Sequence, residues 1–275
     1  MSLQIEKLRQ ELQKDPDNIE LIKELGNHYY YEDDYKNAMD CYRKTIKLDS
    51  SYYKAYYNMG NTYYMLNDYR NAVDSWFMAI RILPEHEKSH YNLGFTFLNQ
   101  FHESEKAKAH LIRAIEINPH NSLAYNHLGL CYFEEDDFEN ALEKVKKAIE
   151  LNNSNPEYYY NIGNIYYELK DYDKAIDSYM KAVRLDPEDN KSLNNIADCL
   201  YKKKEYIKGL EFVDRSIEIN PHFSAAYCTK AELFSALGRD EEAASLFNIV
   251  IEMDGEKTML TQYARSFIND IKNRG

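Results

Sequence analysis

Residues 56–76 read YYNMGNTYYMLNDYRNAVDSW, and residues 159–179 read YYNIGNIYYELKDYDKAIDSY. Thirteen of the twenty-one positions are identical although the stretches lie 103 residues apart, which is three times 34 plus one. A fixed period of this length signals a repeat architecture, in which one supersecondary unit stacks on copies of itself. Aligned on glycine, the series runs Gly26, Gly60, Gly94, Gly129 and Gly163, and Ala197 and Ala231 continue it; the spacing is 34 throughout except for 35 between Gly94 and Gly129. A second small-residue series follows twelve positions later at Ala38, Ala72, Ala141, Ala175 and Ala243. A third, at Ala79, Ala148, Ala182 and Ser216, falls seven after that, and Pro16, Pro84, Pro119, Pro187 and Pro221 close several units.

Each unit reads as two amphipathic helices. Tyr56, Met59 and Tyr63 share one face of the first, and Tyr69, Val73, Trp76 and Ile80 share one face of the second. A polar turn such as Leu66-Asn67-Asp68 separates them, with Asp or Asn placed to cap the second helix. Small residues at fixed positions let helices approach closely while large ones fill the neighbouring gaps. A proline at the end stops the second helix before the next unit begins.

The composition agrees with a folded helical chain. Of 275 residues 44% are hydrophobic and 29% charged, with only nine glycines and six prolines. A net charge of -12 argues against a general phosphate-binding surface, so nucleic acid is not an expected partner. No apolar run approaches the roughly 20 residues that span a bilayer, and the N-terminal MSLQIEKLRQELQ lacks the apolar core of a signal peptide. Cys41, Cys131, Cys199 and Cys228 are scattered without a CxxC pair, as expected of reduced thiols in a cytoplasmic protein.

The small residues at repeat positions 8, 20 and 27, the aromatics at 4, 11 and 24 and the proline at 32 resemble the tetratricopeptide repeat family along nearly the whole chain. The resemblance implies an all-α fold, a right-handed α-solenoid of seven units: 19–52, 53–86, 87–121, 122–155, 156–189, 190–223 and 224–257. Residues 1–18, with Ile5, Leu8 and Leu12, read as a leading helix. Residues 258–275 read as a capping helix, with Leu260, Tyr263, Ala264, Phe267 and Ile271 on one face and Gln262, Arg265, Asn269 and Lys272 on the other. The third unit carries one extra residue, expected in its inter-helix turn NQFHESE.

Asparagine is a poor residue for a helix interior, yet it recurs at position 6 (Asn58, Asn92, Asn161, Asn195) and at position 9 (Asn27, Asn61, Asn164). In the family these positions line the groove. An amide both donates and accepts, so a ladder of asparagines there is expected to hold an extended peptide backbone, flanked by Tyr57, Tyr91 and Tyr160 as apolar contacts. General enrichment in Asn and Tyr, 26 of the latter, is the competing explanation.

The first three units also resemble the family's adaptors that clamp a carboxylate at the C-termini of heat-shock chaperones. Lys23, Asn27, Asn58 and Lys88 occupy four of the five clamp places, and Asn92 stands where the family has an arginine. Glu20 and Glu24 lie near the same end and oppose an acidic tail, whereas Lys54 adds positive charge.

Signals for catalysis are few. His86-Glu87-Lys88-Ser89-His90 matches HExxH, but Pro84 and the unit boundary place His86 before the helix. The acidic runs 32–34 and 134–137 fall at inter-helix turns. No phosphate loop, dinucleotide fingerprint or GxSxG is present. The expectation is a non-enzymatic, cofactor-free and metal-free scaffold for a protein or peptide partner, which includes a chaperone tail. Two other readings stand beside it: the substrate-recruiting domain of a larger enzyme such as a protein O-glycosyltransferase, and a self-associating scaffold subunit.

Overall fold

The computed structural model describes residues 3–255 and 258–274, the side chains of 271–274 apart. The described residues form sixteen α-helices and no strand, the tandem helix pairs of an α-solenoid. The chain divides into two compact units, Met1–Glu135 and Asp136–Gly275. The first opens with α1 (Leu3–Lys14) and continues in three pairs: α2 (Ile19–Tyr31) with α3 (Tyr35–Leu48), α4 (Tyr53–Met65) with α5 (Tyr69–Ile82), and α6 (Glu87–Thr96) with α7 (Ser104–Ile117). It closes with α8 (Ser122–Glu134). The second opens with α9 (Phe138–Leu151). It continues as α10 (Pro156–Glu168) with α11 (Tyr172–Leu185), α12 (Asn190–Lys202) with α13 (Tyr206–Ile219), and α14 (Ser224–Ala236) with α15 (Asp240–Asp254). It ends with α16 (Met259–Arg274).

Within a pair, the glycine of the first helix receives the large side chain of the second. A Cβ on Gly60 would lie 2.5 Å from the indole nitrogen of Trp76, and one on Gly163 would lie 2.5 Å from the Tyr179 ring. Trp76 and Tyr179 are accordingly among the largest fully buried side chains. Around Trp76 the first unit builds a core with Ala72, Leu93, Leu111, Leu128 and Cys131. The second unit builds one around Tyr179 with Ala175, Leu193, Ile196 and Cys199, and another around Phe247 with Ala231, Ala243 and Ala264.

The turns inside pairs share one device. Asp33, Asn67, His102, Asp136, Lys170 and Lys204 take φ between 54° and 63°, and Gly238 takes 75°. The left-handed residue lets the next amide reach back over the helix end, as from Asp68 N to Tyr63 O at 2.9 Å and from Asp171 N to Tyr166 O at 2.9 Å. The side chains of Asp34, Asp68, Asp137 and Asp171 then cap α3, α5, α9 and α11 by accepting from the third helical amide.

Two sequence expectations need correction. The extra residue of the third pair is not taken up in the loop: α6 widens into a π-helical turn, Phe97–Phe101, before His102 enters the left-handed region. A hydrogen-bonding pattern one residue longer absorbs an insertion without moving the helices on either side. In α16, Leu260, Ala264 and Phe267 pack inward as expected, but Tyr263 is 42% exposed and its hydroxyl donates to Glu232. Ile271 and Lys272 of the expected faces lie outside the described side chains.

Candidate functional site

The asparagines at positions 9 and 6, counted from the start of each pair's first helix, meet between successive pairs. Asn58 Nδ2 donates to Asn27 Oδ1 at 2.7 Å, Asn92 Nδ2 to Asn61 Oδ1 at 3.0 Å, and Asn195 Nδ2 to Asn164 Oδ1 at 3.3 Å. The same three acceptor oxygens also take a hydrogen bond from the large residue of their own pair. Tyr42 Oη reaches Asn27 at 3.0 Å, Trp76 Nε1 reaches Asn61 at 3.0 Å, and Tyr179 Oη reaches Asn164 at 2.7 Å. Each position-9 asparagine is therefore a clip. It satisfies the buried polar tip of the core aromatic and ties one pair to the next, which repays the low helix propensity of asparagine.

The pattern breaks where the aromatic is missing. Phe95 and His127 take the corresponding places at the next junction, with ring centroids 5.0 Å apart and nearly perpendicular. In the second unit Asp198 stands at position 9 of α12 and accepts from Tyr167 Oη at 2.5 Å. Asn161 is buried in α10.

On the face made by α2, α4 and α6, the clips form the floor of two adjoining cavities. One, of about 200 Å³, is lined by Asn27, Asn58, Asn61, Tyr57 and Lys88 together with Tyr30, Tyr31 and Tyr42. The other, of about 310 Å³, shares Tyr30, Tyr57 and Asn61 and adds Tyr64, Trp76, Tyr91, Asn92 and Phe95. The clip bonds leave Nδ2 of Asn27 and Asn61 and Oδ1 of Asn58 and Asn92 outside the asparagine pairing. Among the described residues Lys88 forms no ion pair.

Of the clamp residues, the structure brings Asn27, Asn58 and Lys88 to one cavity and places Asn92 in its neighbour. Lys23 lines neither. Its ammonium sits 3.0 Å from Glu20, which also accepts from Tyr52 Oη at 2.5 Å. These two hydrogen bonds hold the Glu20 carboxyl below the usual carboxylate range. In the second unit Tyr160 packs 6.0 Å from Tyr179, beside the Asn164–Asn195 pair.

His86 stands just before α6 without a side-chain capping bond, its Nδ1 2.8 Å from Ser89 Oγ and its ring edge-on to Tyr57, while His90 is buried with Nε2 on the Pro84 carbonyl and Nδ1 3.2 Å from Nδ1 of His110. Two rings of the HExxH stretch thus point to different partners. Burial raises the thiols, Cys41 to about 11 and Cys131, Cys199 and Cys228 to about 12, so each stays a protonated packing residue.

Sequence reasoning missed the clip, although its signal is present. Asn27, Asn61 and Asn164 are each followed fifteen residues later by Tyr42, Trp76 and Tyr179, whereas apolar Val145, Val213 and Phe247 follow Leu130, Asp198 and Glu232 at that distance.

The signature of the tetratricopeptide repeat matches residues 53–86 and 156–189, and a second TPR-repeat signature matches 26–67 and 129–170. This chain carries tetratricopeptide repeats. Solved structures agree on the fold of such repeats. A tetratricopeptide repeat protein from Parabacteroides merdae ATCC 43184 aligns over 93% of this chain and 99% of its own, with TM-score 0.69 and 16% identity. Pseudomonas aeruginosa pilF aligns over 79% and 98%, with TM-score 0.66 and 20% identity. YrrB aligns over 70% and 99%, with TM-score 0.56 and 20% identity. Among curated protein sequences none matches this chain. Tetratricopeptide repeats build protein-interaction scaffolds, and no helix among the described residues is long and apolar enough to cross a membrane.

Proposed function

We propose that the chain is a non-catalytic scaffold that holds an extended peptide across α2, α4 and α6. The observation that carries this reading is the pair of adjoining cavities floored by asparagine clips. Amide edges left outside the clips are placed to bond a peptide backbone, independently of its sequence. Tyr30, Tyr57 and Tyr91 offer stiff apolar area to its side chains. Lys88, in the more polar cavity, is the group for a carboxylate, either the chain end of a partner such as a chaperone tail or an acidic side chain. YrrB, similar in fold, is a tetratricopeptide-repeat protein with an unusual peptide-binding site.

The test is fluorescence anisotropy with a labelled acidic peptide bearing a free C-terminal carboxylate, alongside the same peptide amidated. Affinity of roughly micromolar strength is expected, as a handful of charge-assisted hydrogen bonds less the ordering of the peptide allows. Lys88→Ala should weaken it about tenfold. Binding that ignores both amidation and Lys88 would remove the carboxylate anchor, and absence of binding would overturn the reading.

A further inference from the structure

The larger cavity carries a polar group that the fold itself leaves unused. Thr62 and Thr96 stand at the same place on α4 and α6, each four residues after a clip asparagine. Thr62 Oγ1 donates to the Asn58 carbonyl at 2.8 Å, the usual satisfaction of a buried helical threonine. Thr96 is fully buried, lines the larger cavity, and its hydroxyl has no hydrogen-bond partner among the described residues. The difference lies where α6 passes into its π-helical turn, which begins at the next residue. An unpaired buried hydroxyl is uncommon in native proteins and asks for a partner from outside.

The walls of this cavity are aromatic. Tyr64 lies 6.0 Å from Trp76 and 6.2 Å from Phe95, and Phe95 stacks with Tyr91 at 6.1 Å. Phe95 stands where the earlier pairs carry a clip asparagine, so the polar ladder ends and an apolar wall begins. Asn61 and Asn92 supply amide edges at the floor. The space, about 310 Å³, exceeds what a small aliphatic side chain fills.

From these features the geometry points to a pocket for one aromatic side chain with a polar tip, tyrosine or tryptophan, of the bound peptide. The ring packs edge-to-face on Tyr64, Tyr91 and Phe95. The phenol or indole group meets Thr96 Oγ1 and the Asn61–Asn92 amides. The neighbouring cavity, with Lys88, takes a carboxylate a few residues along the same peptide. The partner is then an acidic segment bearing a single tyrosine or tryptophan near its carboxylate. This inference rests on the peptide-binding reading above.

The test uses octapeptides of Asp, Ser and Gly with a free C-terminal carboxylate, in which one guest residue is walked back from the end. Tyr, Trp, Phe, Leu and Ala are compared at each place. Tyr or Trp is expected to bind about tenfold tighter than Ala and about fivefold tighter than Phe at one preferred place. Thr96→Val keeps the shape and removes only the unpaired hydroxyl. It is expected to erase the margin of Tyr over Phe while leaving Phe affinity and the denaturation midpoint no lower than in the parent. Lys88-dependent binding without preference for an aromatic guest overturns this inference and leaves the scaffold reading standing, as does a Tyr margin untouched by Thr96→Val. Failure of every guest to bind overturns both.

Discussion

Asn61 Oδ1 lies 3.0 Å from Trp76 Nε1, on the second helix of its own pair, and accepts a further hydrogen bond from the first helix of the next. One amide oxygen thus carries both the intra-pair and the inter-pair fit. Replacing Asn61 with Ala strands the indole N–H of a side chain that is only 2% exposed and deprives Asn92 of its acceptor. A loss of about 2–4 kcal/mol is expected, more than for Asn92→Ala, which leaves the indole bond in place. Urea unfolding measures it. Trp76 is the only tryptophan in the chain, so its emission should shift in Asn61→Ala before global unfolding begins.

Gly60→Ala should be among the most damaging single substitutions, costing several kcal/mol, because its Cβ would sit 2.5 Å from the Trp76 ring. Trp76→Val in the same chain should recover part of the loss by vacating that space. Gly238→Ala is the contrast. Among the described residues nothing lies within 4 Å of a Cβ there, so its cost is the left-handed backbone alone, on the order of 1 kcal/mol. Thermal or chemical denaturation of the three variants separates contact from conformation.

Lys170 and Lys204 carry that left-handed backbone with a side chain attached, at φ of 60° and 63°. Glycine at either place should stabilise the chain by up to about 1 kcal/mol. Asp33→Gly should gain less, since Asp33 accepts a hydrogen bond from Tyr35 Oη at 2.7 Å and the substitution removes it. Denaturation midpoints rank the three.

His90 and His110 tie stability to pH. Burial lowers both, His110 to about 4 from an ordinary 6.5. The proximity of the two rings adds to the effect on His110, and Arg113 lowers His90 while Glu87 and the Pro84 carbonyl oppose it. The unfolded chain therefore binds more protons than the folded one between about 6.5 and about 4. The contribution of the neutral pair is fully present above that window and is lost progressively as pH falls through it. The slope from this group is halved near 4 and fades below it. Phe77 and Phe97, which face His110, do not titrate. His110→Gln should flatten the slope of the urea midpoint in this window relative to the parent, which cancels the carboxylates common to both.

How far the sequence discloses the fold depends on what each residue does alone. Gly60, Ala72 and Trp76 announce packing because size at a fixed period has one reading. The asparagines did not, because an amide serves a peptide, a neighbouring helix or solvent equally well. Asn27 and Asn58 are paired with each other in the stack, and only the edges outside the pair remain for a ligand. The π-helical turn was hidden for a related reason: an inserted residue shows in the count, but where the chain absorbs it is set by packing of Phe97 and Leu98. Lys23 shows the limit for charges. Its place matches the clamp, while its partner, Glu20, is set by a contact three residues away on the same helix.

That contact bears on the proposed binding face. Glu20 holds Lys23 at 3.0 Å and is itself held by Tyr52, so the lysine is engaged before any ligand arrives. Lys23 lines neither cavity, so it can add to the Lys88 anchor only if a partner's carboxylate displaces Glu20, and the displaced anion would stay near and repel it. Glu20→Gln keeps the shape and the Tyr52 contact but removes the charge. In the anisotropy assay it should tighten binding of the acidic peptide a few-fold, and the gain should vanish in Glu20→Gln with Lys23→Ala. The surface exposure of Glu20, 61%, keeps the expected gain modest, and raised salt should reduce it further. If Glu20→Gln leaves affinity unchanged, Lys23 takes no part in holding the carboxylate and Lys88 acts alone.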